Sequence, residues 1–204
     1  MYQSVHAVSV TLQQFLDAEI KADSFLFGPT APFRTRGMVV SLNTPKEMAD
    51  NGQEGVSVWL YRVIRDEQRL NDPPIRTATQ LRPPPLPLRL HYLVTPFTTR
   101  VNLGDPDTEQ YLLGKILQSL YSRSSLRGAD LRGELVGSGA ELHVRLETLG
   151  LDEMSRIWEA LEGSYQLAVS YEVAVVNIDS ALEPDSVVAV QEVLADVGQI
   201  VGAP

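Results

Sequence analysis

The chain is predicted to adopt an α+β fold, a mixed and largely antiparallel sheet packed against a few helices. Three observations predict it. Apolar and polar residues alternate with period two in "GVSVWLYRVI", "LRLHYLVT", "ELHVRLETL" and "YQLAVSYEVAVVNID". Helical spacing with recognisable caps occupies the start of the chain and two of the gaps between those segments. Hydrophobic residues make up 44% of 204, enough apolar area to offset chain entropy and close a core.

Val5, Val8, Leu12, Phe15, Leu16 and Ile20 recur at helical spacing and predict an opening amphipathic helix. Residues 25–36, with "GPTAPF", read as a loop, and residues 37–43 as a short strand. In "TPKE", Thr44 is placed as an N-cap, Pro45 at the first helical position and Glu47 at the capping-box position. A single helical turn should follow, closed by Asn51 and Gly52. Residues 55–64 are an interior strand, with Val56, Val58, Leu60 and Arg62 on one face and Ser57, Trp59, Tyr61 and Val63 on the other. The polar connection 66–82 is longer than most loops of compact domains, and loops of that length usually carry function or order on binding.

"LRPPPLPLRLHYLVTPF" admits two readings. "PPPLP" matches a PxxP ligand, which would make the chain an adaptor. Yet its apolar residues run directly into an alternating strand. Pro83, Pro84 and Pro85 therefore serve better as a stiff entrance ahead of the ladder, to which proline cannot donate. Asp105 caps the next helix, Pro106 sits at its first position, and Leu112, Leu113, Ile116, Leu117 and Leu120 form its buried stripe. "LRGADLRGELV" repeats Leu-Arg-Gly at a five-residue spacing, too few copies for a solenoid, and reads as a loop with a short helical turn. In residues 141–149 Leu142, Val144 and Leu146 point in, and His143, Arg145 and Glu147 out. A short helix capped by Asp152 and stopped by Gly163 leads to the longest strand, with Leu167, Val169, Tyr171, Val173 and Val175 on one face. Residues 1–180 thus form one domain, and 181–204 an acidic appendage with weak helical spacing.

Several function classes are disfavoured. No run of about 20 apolar residues is long enough to cross a membrane, and the first residues lack the basic start and cleavage motif of a signal peptide. With no cysteine, disulfides and thiolate metal sites are excluded, and a cytoplasmic location is expected. The net charge of -9 disfavours a broad nucleic-acid surface. No phosphate loop, nucleophile elbow or dinucleotide fingerprint is present. His6, His91 and His143 are the only histidines, and His91 and His143 fall on polar strand faces, where surface or half-buried positions are expected. No catalytic, cofactor or metal site is assigned; an enzyme whose site is assembled from scattered residues stays open as an alternative.

Charge is unevenly placed. Residues 61–100 carry seven arginines against three acids, and residues 147–204 eleven acids against Arg156 alone. Only Lys21, Lys46 and Lys115 are lysines, and arginine enrichment suits interfaces as well as it suits a bias of base composition. The candidate interface therefore comprises Arg62, Arg65, Arg69, Arg76 and Arg82 in the middle of the chain. Its counterpart in the tail comprises Glu183, Asp185, Glu192 and Asp196, with Val187, Val190, Val193 and Val197.

The order of motifs resembles the N-terminal domain of the cap (tail-terminator) proteins of phage-tail-like contractile injection systems. The resemblance is carried by "VSLNTPKE", "VSVWLYRV", "RPPPLPLRLHYLVTPF", "EQYLLGKILQSLYS" and "LHVRLETLGLDEMSRIWEALEGSYQLAVSYEVAVVNID", between Val40 and Asp179. It implies a tail-terminator-like fold and a structural role. That role is a subunit closing the distal end of the inner tube and sheath, as a homo-hexameric ring, with sheath and tube proteins as partners. No catalytic residue or cofactor is implied. Some relatives carry a further C-terminal domain.

Overall fold

In the computed structural model, residues 2–69, 73–77, 79–99 and 105–186 are described, without the side chain of Val175. Two sheets organise them. The larger has six strands in the order β1-β2-β5-β8-β7-β6, and the smaller has three in the order β3-β4-β9. The six strands are β1 (Val39–Ser41), β2 (Gly55–Arg65), β5 (Leu86–Phe97), β6 (Ser125–Arg127), β7 (Glu141–Glu147) and β8 (Val169–Ile178). Only β1 and β2 run parallel; the other neighbours are antiparallel. The α+β prediction holds, and "LRLHYLVTPF" is the paired interior of β5 rather than a free proline arm.

One face of the large sheet is covered by α1 (Ser4–Ala22) and α5 (Pro106–Ser122). Val8, Leu12, Leu16 and Ile20 from α1, and Leu112, Ile116 and Leu120 from α5, meet Val56, Val58, Leu90, Tyr92, Val94, Tyr171 and Val173. Each fully buried aliphatic side chain contributes about 1.5–3 kcal/mol. Tyr92 is fully buried, and its hydroxyl shares a 2.8 Å hydrogen bond with Ser9 on α1, so its polar end is satisfied. Burial pushes the Tyr92 phenol well above its ordinary value, and it stays neutral.

The opposite face is covered over part of its area by α6 (Leu151–Ala160), whose Met154 and Trp158 pack on Leu93 with Trp59 and Tyr61 alongside. The predicted Asp152 cap is corrected. Gly150 is the N-cap and its N–H donates to Glu153 at 3.0 Å, while Asp152 lies inside the first turn. The loop prediction for 25–36 is corrected as well. Asp23 accepts from the N–H groups of Phe25 and Leu26 and starts α2 (Ser24–Phe27), and Pro32 opens α3 (Pro32–Thr35). The expected capping box on α4 (Pro45–Asp50) is present, with Thr44 accepting from Glu47 N–H and Glu47 from Thr44 N–H.

Two bulges re-aim strand faces. Between Leu60 and Arg62 the β2–β5 register shifts by one, so Arg62 lies opposite His91 on the α6 side, not on the face of Val56, Val58 and Leu60. The β5–β8 register shifts between Leu88 and Leu90, and the inward series of β8 continues at Val176, which is buried opposite Leu88. The expected inward position of Val175 concerns a side chain outside the described set. The Leu-Arg-Gly pair is no plain loop. Leu126 and Leu131 are both buried, Gly128 and Gly133 both open 3-10 turns at positive φ, and Ser125–Arg127 pairs with β7 as the edge strand.

Candidate assembly surface

The connection 66–82 joins the end of β2 to the entrance of β5, and its described residues carry short elements of their own. A 3-10 turn, Glu67–Arg69, is followed by β3 (Ile75–Arg76) and β4 (Gln80–Arg82). Ile75 pairs with Arg82 and Arg76 with Leu81, and Thr77 N–H closes the turn on the Gln80 carbonyl at 2.9 Å. The start of the tail, β9 (Asp185–Ser186), then pairs with β4, placing Asp185 opposite Leu81. The arginine-rich middle and the acidic tail of one chain therefore meet in one small sheet.

Of the predicted interface residues, Arg62, Arg65, Arg76, Arg82, Glu183 and Asp185 are exposed. Arg69 is half-buried, and its guanidinium donates to Asn177 Oδ1 at 3.3 Å, so it also serves the fold. Arg62 belongs to the large sheet, apart from the β3–β4–β9 group. Val187, Val190, Glu192, Val193, Asp196 and Val197 lie outside the described residues. Exposed apolar side chains accompany the arginines: Val63, Ile75, Leu86 and Leu182.

On the α6 side, beside Arg62, lies a polar network that periodicity alone does not reveal. His91 on β5 is opposite Glu172 on β8, and Glu172 is opposite Arg145 on β7. His91 is 3% exposed, which corrects the expected surface or half-buried position; His143 is exposed as expected. His91 Nδ1 lies 2.9 Å from Glu147 Oε1, and Ser170 Oγ donates to Glu147 Oε2 at 2.6 Å. Arg89 donates to Asp66 at 2.9 Å and to Glu172 at 3.5 Å, and Arg145 donates to Glu172 at 3.1 Å. Burial is the largest influence on Asp66 and acts to raise its pKa, but the Arg89 hydrogen bond, the Gln68 N–H and the charges of Arg89 and Arg69 together outweigh it and the carboxyl sits below its usual range; the Asp66 bond in turn raises Arg89. The sequence signal was there in principle, since a polar residue on an interior strand must find partners on neighbouring strands. Finding it required the register.

A second network ties the sheet to α5. Arg36 makes a paired contact with both oxygens of Glu54, at 2.6 and 2.8 Å, and reaches Asp105 at 3.2 Å. Glu54 also accepts from Thr99 N–H and Oγ1, each at 2.7 Å, and Asp105 caps α5 at Thr108 N–H. Burial acts to raise the Glu54 pKa, but Arg36 and Thr99 outweigh it and lower it; the Thr108 bonds lower that of Asp105. Both depressed values mean stability that is present above the ordinary carboxylate range and lost as pH falls through the folded-state values. We expect a urea midpoint that is flat from neutral pH to about pH 5 and drops below it. The gap between the parent and Glu54→Gln should be largest at neutral pH and close toward pH 3; a gap independent of pH would remove the charge from this account.

The fold is shared with two solved caps of contractile injection systems. A solved structure of an extracellular contractile injection system, its PVC sheath/tube terminator in the extended state, matches with a TM-score of 0.60 at 20% identity, over 96% of this chain and 65% of that one. The tube-terminating cap of the anti-feeding prophage matches with a TM-score of 0.63 at 18% identity, over 93% of this chain and 60% of that one. The chain belongs to the Pvc16 N-terminal domain family, whose model matches residues 7–192. It spans less than two thirds of the length of the solved caps it matches. No curated protein matches it. No helix among the described residues is long and apolar enough to cross a membrane.

Proposed function

We propose that the chain is a structural cap subunit that ends the distal tip of the inner tube and sheath of a contractile injection particle, as a homo-hexameric ring. The observation that supports this best is that nearly the whole chain, not one motif of it, superposes on two caps whose described task is to terminate tube or sheath. A ring needs two different, complementary patches on each subunit. The arm built from the ends of β2 and β5 with β3, β4 and β9 offers exposed arginines and apolar side chains for one of them. On this reading residues 1–180 are the cap domain, 181–204 the assembly arm, and the partners are further copies of the chain together with tube and sheath proteins. No chemistry is assigned to the chain. The cysteine-free composition suits assembly in the cytoplasm.

Co-expression with tube and sheath subunits tests the proposal. With the chain present, electron micrographs should show particles of uniform length with a closed end. Without it, tube and sheath lengths should spread. A length distribution that is the same in both cases would refute the proposal.

A further inference from the structure

His91, Glu147 and Glu172 each offer a ligand atom, and these three atoms lie within 4.8 Å of one another. We propose that they form a binding site for one divalent transition-metal ion of the zinc class, a site that pins β5, β7 and β8 together beside α6. This is independent of the cap reading.

The donor set fits such an ion. One imidazole and two carboxylates suit a borderline cation, and three protein ligands leave a fourth position for water. Ligands held at about 2.0–2.1 Å in a tetrahedron stand roughly 3.3 Å apart. His91 Nδ1 and Glu147 Oε1 are 2.9 Å apart, so they need to open by only a few tenths of an ångström while Glu172 draws in.

Charge around the site is balanced overall, and the local gap is at Glu147. The groups facing the site are Asp66, Glu147 and Glu172 against Arg89 and Arg145, with Tyr61 and Ser170 as hydroxyl partners and Arg62 opposite His91 on β2. Arg89 and Arg145 answer Asp66 and Glu172. Glu147 is bonded to hydroxyl groups and to the imidazole, so among the described residues it has no guanidinium or ammonium partner. A carboxylate placed this way beside two buried residues is costly without a nearby positive charge. His91 is itself buried, and among the described residues its Nε2 has no hydrogen-bond partner, so Glu147 is the hydrogen-bonding group that orients the ring, with the Tyr61 ring packed edge-on against it. A groove lined by Asp66, Gln68, Arg89, His143, Arg145 and Glu172 opens beside the Glu172 edge of the cluster; His91 and Glu147 do not line it. The side chain of Arg145 is 70% exposed, so it is the clamp on Glu172 that can swing away when an ion enters.

The test uses the full chain, freed of metal by a chelator and titrated with zinc chloride by calorimetry, and with cobalt(II) by visible absorption. One saturable zinc site, a cobalt spectrum of four- or five-coordinate type and a rise in Tm are expected. His91→Ala and Glu147→Gln should each weaken binding at least tenfold. Arg145→Ala should strengthen it by removing the competitor for Glu172. His143→Ala and His6→Ala should leave it unchanged. Absence of saturable zinc binding by the unaltered chain overturns the proposal, whatever the variants do. So does binding that survives His91→Ala and disappears in His143→Ala, which would mark a surface site.

Discussion

Gly55→Ala should lower the stability of the chain by about 3 kcal/mol or more, a cost confined to the short list of core and backbone lesions. Gly55 opens β2 at φ +131, a conformation that side-chain-bearing residues rarely adopt. It is also wedged between two strands, opposite Val39 in the parallel pair and Phe97 in the antiparallel one. A Cβ at this position would stand 2.1 Å from the Val39 carbonyl oxygen and 2.7 Å from its nitrogen. Those are backbone atoms of a ladder, which cannot swing aside as a side chain can. The strand pair must part, and with it the register that seats Val40 and Val56 in the core. Gly52→Ala is the matched control. It has φ +65 and nothing within 4 Å of an added Cβ, so it should cost only the left-handed penalty of about 1–2 kcal/mol. Equal urea midpoints for the two variants would show that β1 is not held this closely.

The contrast between those two glycines marks how far the sequence could be read. Gly52 was legible, because Asn-Gly after a capped turn is local turn chemistry. Gly55 was not, because its requirement comes from Val39, sixteen residues away on another strand. The same division runs through the fold. Alternation located β2, β5, β7 and β8, since each buries one face against a helix layer and period two is what that demands. The bulge at Tyr61 and Arg62 left only a hint, a charged Arg62 in the inward series of Val56, Val58 and Leu60; pairing with His91 is what shows that Arg62 has changed sides. β6 was missed for a different reason. Its three residues have one buried member, Leu126, and three residues are too short to show a period. Among site residues, the exposed arginines could be picked out by composition. The His91, Glu147 and Glu172 cluster could not, because its members are scattered over three strands and come together only across the ladder. Resemblance and comparison then agreed on the family and its fold, where composition and motifs alone supplied only exclusions.

Reversing the charge of Arg65 and Arg76 to glutamate should break up assembly while leaving the monomer folded. Both side chains are exposed, so the substitutions desolvate nothing and the Tm of the isolated chain should change little. Arg69 is a poorer choice than its position in the sequence suggests, since its bond to Asn177 would confound folding with assembly. A single exposed ion pair contributes about 0–1 kcal/mol and is screened by salt. A closed ring, however, repeats every interface once per subunit, so a small loss per contact is multiplied around the ring. Like charges brought together at a subunit contact add repulsion to the lost attraction. Two reversals per subunit should therefore lower the apparent association constant of each contact by tenfold or more, which corresponds to about 1.4 kcal/mol. Raising the salt concentration should weaken the parent ring in the same direction and by less, because the apolar side chains Val63, Ile75, Leu86 and Leu182 keep their contribution. Asp185→Lys in the reversed background separates two origins of the effect. Asp185 sits on β9, paired to β4 of its own chain, so a gain in monomer Tm without a gain in assembly would place the arginine–acid pairing inside the subunit. Partial recovery of the ring at unchanged Tm would place it between subunits. Mass photometry across a salt series, read beside thermal unfolding of each variant, distinguishes these results. Rings indifferent to both salt and reversal would mean that the arginine bias of residues 61–100 is a matter of composition and that the arm does not bind neighbouring copies by charge.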